Sequence, residues 1–133
     1  MREVVTRSDV PSPSLPFSAG MRANGFVFSS GQVGTDPRTG QIAGPDVASQ
    51  TRQTLANLSA VLEAGGSSLG RLLKTTVFLA DMRLFDEMNA VYRELIPEPR
   101  PARSTVEARL ARPELLVEIE GSAWWATLSA VSD

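Results

Sequence analysis

The sequence contains no cysteine and no histidine, and these two absences remove much of the usual catalytic apparatus. Without Cys there is no disulfide framework, thiolate nucleophile, zinc ribbon or iron–sulfur cluster. Without His there is no Ser-His-Asp triad, imidazole proton shuttle or His metal site. Lysine is nearly absent as well. The 13 basic residues are twelve Arg and one Lys, Lys74, so Schiff-base chemistry would rest on a single side chain. Long apolar runs are missing: stretches such as Val77-Phe78-Leu79-Ala80 fall far short of the roughly 20 residues of a membrane helix. The opening Met1-Arg2-Glu3-Val4-Val5-Thr6-Arg7 lacks the apolar core of a signal peptide. A soluble, cytoplasmic protein is expected. There is also no excess of positive charge. A net charge of −2 and a pI near 5.2 argue against nucleic acid or an anionic membrane as partner. Catalysis here has to run on carboxylates, Arg, hydroxyls, amides, backbone groups and water.

What remains has the makeup of one globular domain over residues 1–133: 42% hydrophobic and 21% charged, with no repeat or composition break. Residues 8–18 hold three prolines and should run extended. Phe26–Ser30 reads as a strand ending at Gly31. Val47, Thr51, Leu55, Leu58 and Leu62 recur at helical spacing between an Asp46 N-cap and a Gly65-Gly66 stop. Leu72–Ala80 reads as a strand with Leu73, Thr75, Val77 and Leu79 on one face and Phe78 on the other. A second helix is expected from about Met82 to Ile96, capped by Asp81 and ended by Pro97. Strands follow at Ser104–Leu110 and Leu116–Trp125. This order predicts an α+β fold, a sheet with two helices packed on one face. Self-association is the simplest cover for the other face.

Several motifs dissolve on inspection. Gly66-Ser67-Ser68-Leu69-Gly70 spells a nucleophile elbow, but a helix precedes it, a strand follows it and no His exists to serve it. Asn57-Leu58-Ser59 is a glycosylation sequon inside a predicted helix. Lys74 is read as a strand lysine whose stem snorkels. Trp124 and Trp125, adjacent on a strand, face opposite ways, so at most one serves any surface.

Two segments keep chemical interest. Pro97-Glu98-Pro99-Arg100-Pro101 is stiff and delivers Arg103 to a fixed place at a strand mouth, where a guanidinium can grip a carboxylate bidentately. A plain rigid connector is the first alternative, and a proline-rich ligand for another domain the weaker one. In Val117-Glu118-Ile119-Glu120-Gly121-Ser122, alternation puts Glu118, Glu120 and Ser122 on one face. That face is either simply solvated or lines a cleft where a carboxylate orders or deprotonates water. Antiparallel pairing of the last two strands is one arrangement that brings Glu118 toward Arg103.

Four stretches together resemble the Rid (YjgF/RidA) family: Phe28-Ser29-Ser30-Gly31-Gln32-Val33-Gly34, Lys74 to Met82, Met88-Asn89-Ala90-Val91-Tyr92, and Arg100 to Glu107, with Val117 to Gly121 similar to the family's ending. The resemblance implies a chorismate-mutase-like homotrimer with ligand clefts between subunits and no cofactor or metal. It also implies hydrolysis of reactive enamines and imines, such as 2-aminoacrylate and 2-iminobutanoate, to 2-keto acids and ammonia. By position, Arg103 would hold the substrate carboxylate and Glu118 would position the attacking water. Ser30, Gly31 and Thr105 would line the cleft, and Asn89 would contribute from the second helix. Phe17 stands where the family commonly has Tyr, and Thr105 where some members have Cys. Two other readings stay open: a non-catalytic trimer binding small carboxylates such as keto acids, kept open by Phe17, and an endoribonuclease or translation inhibitor, a label the family has carried. The acidic pI and the lack of His count against the last.

Overall fold

The computed structural model describes residues 1–10 and 14–125; Pro11 and Pro13 of the expected extended segment lie outside the described residues. The strands are β1 (Glu3–Val5), β2 (Gly20–Ala23), β3 (Phe26–Ser29), β4 (Gln32–Val33), β5 (Leu72–Leu79), β6 (Ala102–Glu107) and β7 (Val117–Trp124), and the helices are α1 (Val47–Ala64) and α2 (Phe85–Leu95). The sheet order is β1-β2-β3-β7-β5-β6, with β4 also paired to β7. All pairings are antiparallel except β5–β6, which are joined through α2 as a parallel pair requires.

Local chemistry sets the boundaries. Asn24 and Gly25 both have positive φ (52° and 84°), and this Asn-Gly turn closes the β2–β3 hairpin. The Asp46 side chain accepts from the Ser49 N–H to cap α1. At the other end Gly66 takes φ 87°, and the Ser67 N–H returns to the Leu62 carbonyl at 2.8 Å. Asp81 caps a 3-10 turn at Met82–Leu84, so α2 proper begins later than the expected Met82, at Phe85. The strand expected at Ser104–Leu110 is shifted toward the proline segment, to Ala102–Glu107.

Both helices lie on one face, over a core that includes Val27, Leu55, Leu58, Leu62, Val77, Met88, Val117 and Ile119. Val117, Ile119, Gly121 and Ala123 point into this core and their alternates point away, as expected from the alternation. Strand β5 departs from its expected pattern. A bulge between Leu72 and Lys74 lets Leu72 take the buried place, so Leu73 is turned out and 48% exposed. The uncovered face carries Phe28 (48% exposed) and Val106 (43% exposed), with Phe78 beside Val106 in the β5–β6 ladder. The last two strands do not pair. Strand β5 lies between them, which removes the arrangement that would have set Glu118 directly beside Arg103.

Candidate active site

The residues expected at the site separate into two groups, with Arg103 and Glu118 on opposite faces of the sheet. The first forms where β6 meets α2. Arg103 is level with Thr75 of β5, a fully buried residue, and so projects to the helix side. Its guanidinium carbon lies 4.7 Å from the centroid of the Tyr92 ring and 5.6 Å from that of Phe85. These rings are seven residues apart on α2, two turns along one face. Tyr92 is itself fixed, because its hydroxyl and that of Thr75 share a buried hydrogen bond of 2.7 Å. Stacking on a ring face orients the planar fork while using none of its N–H donors. Among the described residues Arg103 has no carboxylate partner. It lines a cleft of about 260 Å³ with Asn89, Tyr92, Arg93, Arg100 and Pro101. Thr105, level with Val77, shares the face of Arg103.

The second group surrounds Glu118. This residue pairs with Phe78 of β5 and Val33 of β4 and projects from the uncovered face. A Cβ built on Gly31 would overlap the Glu118 carboxylate and lie 2.8 Å from its Cδ, so the carboxylate rests against backbone that only glycine leaves open. Partial burial pushes the Glu118 carboxyl above the ordinary carboxylate range, and the charge of Glu120 adds to the effect. Ser30 ties this region to the N-terminal segment: its N–H donates to the Ala19 carbonyl at 2.8 Å and its Oγ to the Ser18 carbonyl at 2.6 Å. Phe17 is 52% exposed. With Gly31 it lines a mostly apolar cleft of about 230 Å³ that also touches Arg7, Val10, Val33 and, from α1, Asn57 and Val61; Glu118 is not among its lining residues.

Arg103 and Glu118 therefore do not share a pocket within one copy. The one free guanidinium of the expected set and its one carboxylate stand on different sides of the sheet. Among the described residues, no group of three His, Cys, Asp or Glu is placed to hold a metal ion.

The rejected motifs have structural occupations. Ser67 Oγ donates to the Trp124 carbonyl at 2.6 Å. Asn57 is buried, and its amide nitrogen donates to the carbonyls of Val33 and Thr35. Lys74 Nζ donates to Ser104 Oγ on the uncovered face. Trp124 and Trp125 stack on different arginines, Arg71 and Arg22. Phe85 and Arg93 of this cleft region are not among the expected site residues; the seven-residue spacing of Phe85 and Tyr92 on one helix is the sequence signal for the ring pair under Arg103.

A family model described as Endoribonuclease L-PSP matches residues 7–125, nearly the whole described chain. A RutC family protein of Pyrococcus horikoshii is 44% identical over 93% of this chain and 98% of its own length. The chain belongs to the Rid family. A Salmonella typhimurium relative in this family, named 2-iminobutanoate/2-iminopropanoate deaminase, is 36% identical over 92% of this chain and 98% of that protein. Among solved structures, Escherichia coli TdcF with bound serine superposes with a TM-score of 0.85 at 31% identity, covering 93% of this chain and 99% of that one. The α+β architecture of this Rid chain, two helices on one face of a mixed sheet, is the architecture of those structures.

Proposed function

We propose that this protein hydrolyses reactive 2-imino acids and their enamine tautomers, such as 2-iminobutanoate and 2-aminoacrylate, to 2-keto acids and ammonia. The proposed clefts lie between copies of a homotrimer. The observation that carries the reading is the unpaired guanidinium of Arg103, held over Tyr92 and Phe85 on the face opposite Glu118. A second copy would supply the missing half: Arg103, Asn89 and Thr105 from one subunit, and Phe17, Ser30, Gly31 and Glu118 from its neighbour.

In this reading Arg103 grips the substrate carboxylate bidentately. Glu118 orients a water and accepts its proton as the water oxygen bonds to C2, while the imine nitrogen takes up a proton. Glu118 returns its proton to the amine nitrogen of the resulting carbinolamine, ammonia leaves as the C2–N bond breaks, and the hydroxyl proton passes to solvent, replacing the one the imine nitrogen took from it, as the C2–O bond becomes a carbonyl. Water enters and keto acid and ammonia leave, so atoms and charge balance without a redox partner. An imine is already electrophilic, and positioning plus one proton-transferring carboxyl is sufficient catalysis. The raised affinity of the Glu118 carboxyl for a proton brings it closer to the working pH of such a group.

A second reading, a carboxylate-binding trimer without turnover, is favoured by Phe17, whose ring lines the Gly31 cleft with no hydroxyl to order water. A net charge of −2 and the absence of His count against the nuclease chemistry in the family model's description. The test is a coupled assay in which a threonine dehydratase generates 2-iminobutanoate and 2-ketobutyrate appearance is followed. Acceleration by the wild type that is abolished in Arg103→Ala supports the deaminase. No acceleration, together with ligand-induced thermal stabilisation, supports the binding reading.

A further inference from the structure

The Arg103 cleft holds more positive charge than a single carboxylate requires. Three of its lining residues are arginines, Arg93, Arg100 and Arg103, and none is acidic. Three arginines elsewhere, Arg7, Arg52 and Arg83, each meet a carboxylate at 2.6, 2.6 and 2.7 Å, while Arg2, Arg71 and Arg109 have no such pair among the described residues and line no shared cleft with one another. Arg93 and Arg103 have no such partner among the described residues. Arg100 reaches only the exposed Glu98, at 3.4 Å. Arg100 is also held in place, because its Nη2 donates to the backbone carbonyl of Arg93 at 3.2 Å. Two further arginines, both exposed, thus line the same cleft as Arg103 in a protein whose overall charge is negative, so general basicity does not account for them.

A guanidinium cluster of this kind fits a ligand carrying two anionic groups, each taken by a planar fork. A monocarboxylate imine satisfies Arg103 and leaves Arg93 without a carboxylate among the described residues and Arg100 with only the exposed Glu98. We propose that the site is selective for 2-iminodicarboxylates, the imines of aspartate and glutamate, with Arg93 and Arg100 receiving the side-chain carboxylate. This rests on the reading of Arg103 as the clamp for the α-carboxylate. Arg93 and Arg100 are then specificity residues; they take no part in the proton transfers.

The test compares wild type with the double variant Arg93→Gln/Arg100→Gln. Amino-acid oxidases generate the imines of aspartate, glutamate and 2-aminobutyrate in situ, and semicarbazide competes for whatever the protein does not hydrolyse. The expected result is that wild type hydrolyses the dicarboxylic imines, and that the ratio of kcat/KM for dicarboxylic over monocarboxylic imine falls about tenfold or more in the variant. An unchanged ratio, or a wild type that hydrolyses only the monocarboxylic imine, overturns the proposal while leaving the deaminase reading intact. If wild type hydrolyses neither, the deaminase reading fails, and calorimetric titration with 2-oxoglutarate and 2-oxobutyrate decides. Tighter binding of 2-oxoglutarate, lost in the variant, supports the dicarboxylate site; equal or absent binding overturns it. Thermal melting of the variant shows that it is folded.

Discussion

Gly31 and Glu118 make the sharpest claim at the scale of single residues. Because the Glu118 carboxylate occupies the space of a Gly31 side chain, Gly31→Ala displaces that carboxylate. Turnover should fall about 10²-fold, with little loss of stability, since the group that must move is the far end of a flexible side chain. Steady-state rates and a melting curve on the same sample check this. Glu118→Gln removes the acid–base group, and kcat should fall about 10²–10⁴-fold with a much smaller change in ligand affinity. The pH dependence follows from the direction of the Glu118 shift. A carboxyl raised above its unfolded value must lose its proton to act as base, so wild-type activity declines as pH falls through that raised value. For stability the sign is the reverse. The folded state favours the protonated form, so this contribution is full below the ordinary carboxylate range and is lost as pH rises through the raised folded value. Glu118→Gln should therefore melt above wild type at neutral pH, with the gap closing in acid.

The elements are held in register by buried polar brackets as well as by the apolar core. Gln50 of α1 is fully buried. Its amide donates to the carbonyls of Gly44 and Glu114, both at 3.0 Å, and its Oε1 accepts the Leu116 N–H at 2.7 Å. One side chain thus ties the approach to α1 to the start of β7, the strand that carries Glu118. Gln50→Ala removes the partner of three part-buried backbone groups, the Gly44 and Glu114 carbonyls and the Leu116 N–H, and should cost about 1–3 kcal/mol, read as a lower denaturant midpoint at unchanged slope. The helices were legible in the sequence because their apolar spacing and their caps, Asp46 and Gly66, agree with each other. The β7 alternation was legible for the same local reason. The bulge at Leu72 and the insertion of β5 between β6 and β7 were not, because strand order and register are set by non-local pairing. The resemblance to the Rid family brought Arg103 and Glu118 onto one list of site residues. No local pattern says on which side of the sheet each one stands.

At the scale of the whole molecule, the uncovered sheet face and the divided site point to one arrangement. Phe28 and Val106 on that face are covered in the proposed trimer, and the same assembly brings Arg103 of one copy to Glu118 of the next. Phe28→Lys should shift the mass in solution from trimer toward monomer with the far-ultraviolet circular dichroism unchanged, and activity should disappear with the assembly. Activity retained by a proven monomer contradicts the divided site.

The most direct measurement of that claim is subunit complementation. Arg103→Ala and Glu118→Gln, each inactive alone, are dissociated, mixed in equal amounts and reassembled. A site built across two copies regains both native residues in about a quarter of its interfaces by random assortment. The mixture should therefore recover a corresponding fraction of wild-type 2-ketobutyrate production. A mixed trimer, shown by mass spectrometry to contain both variants, that remains inactive would contradict the account.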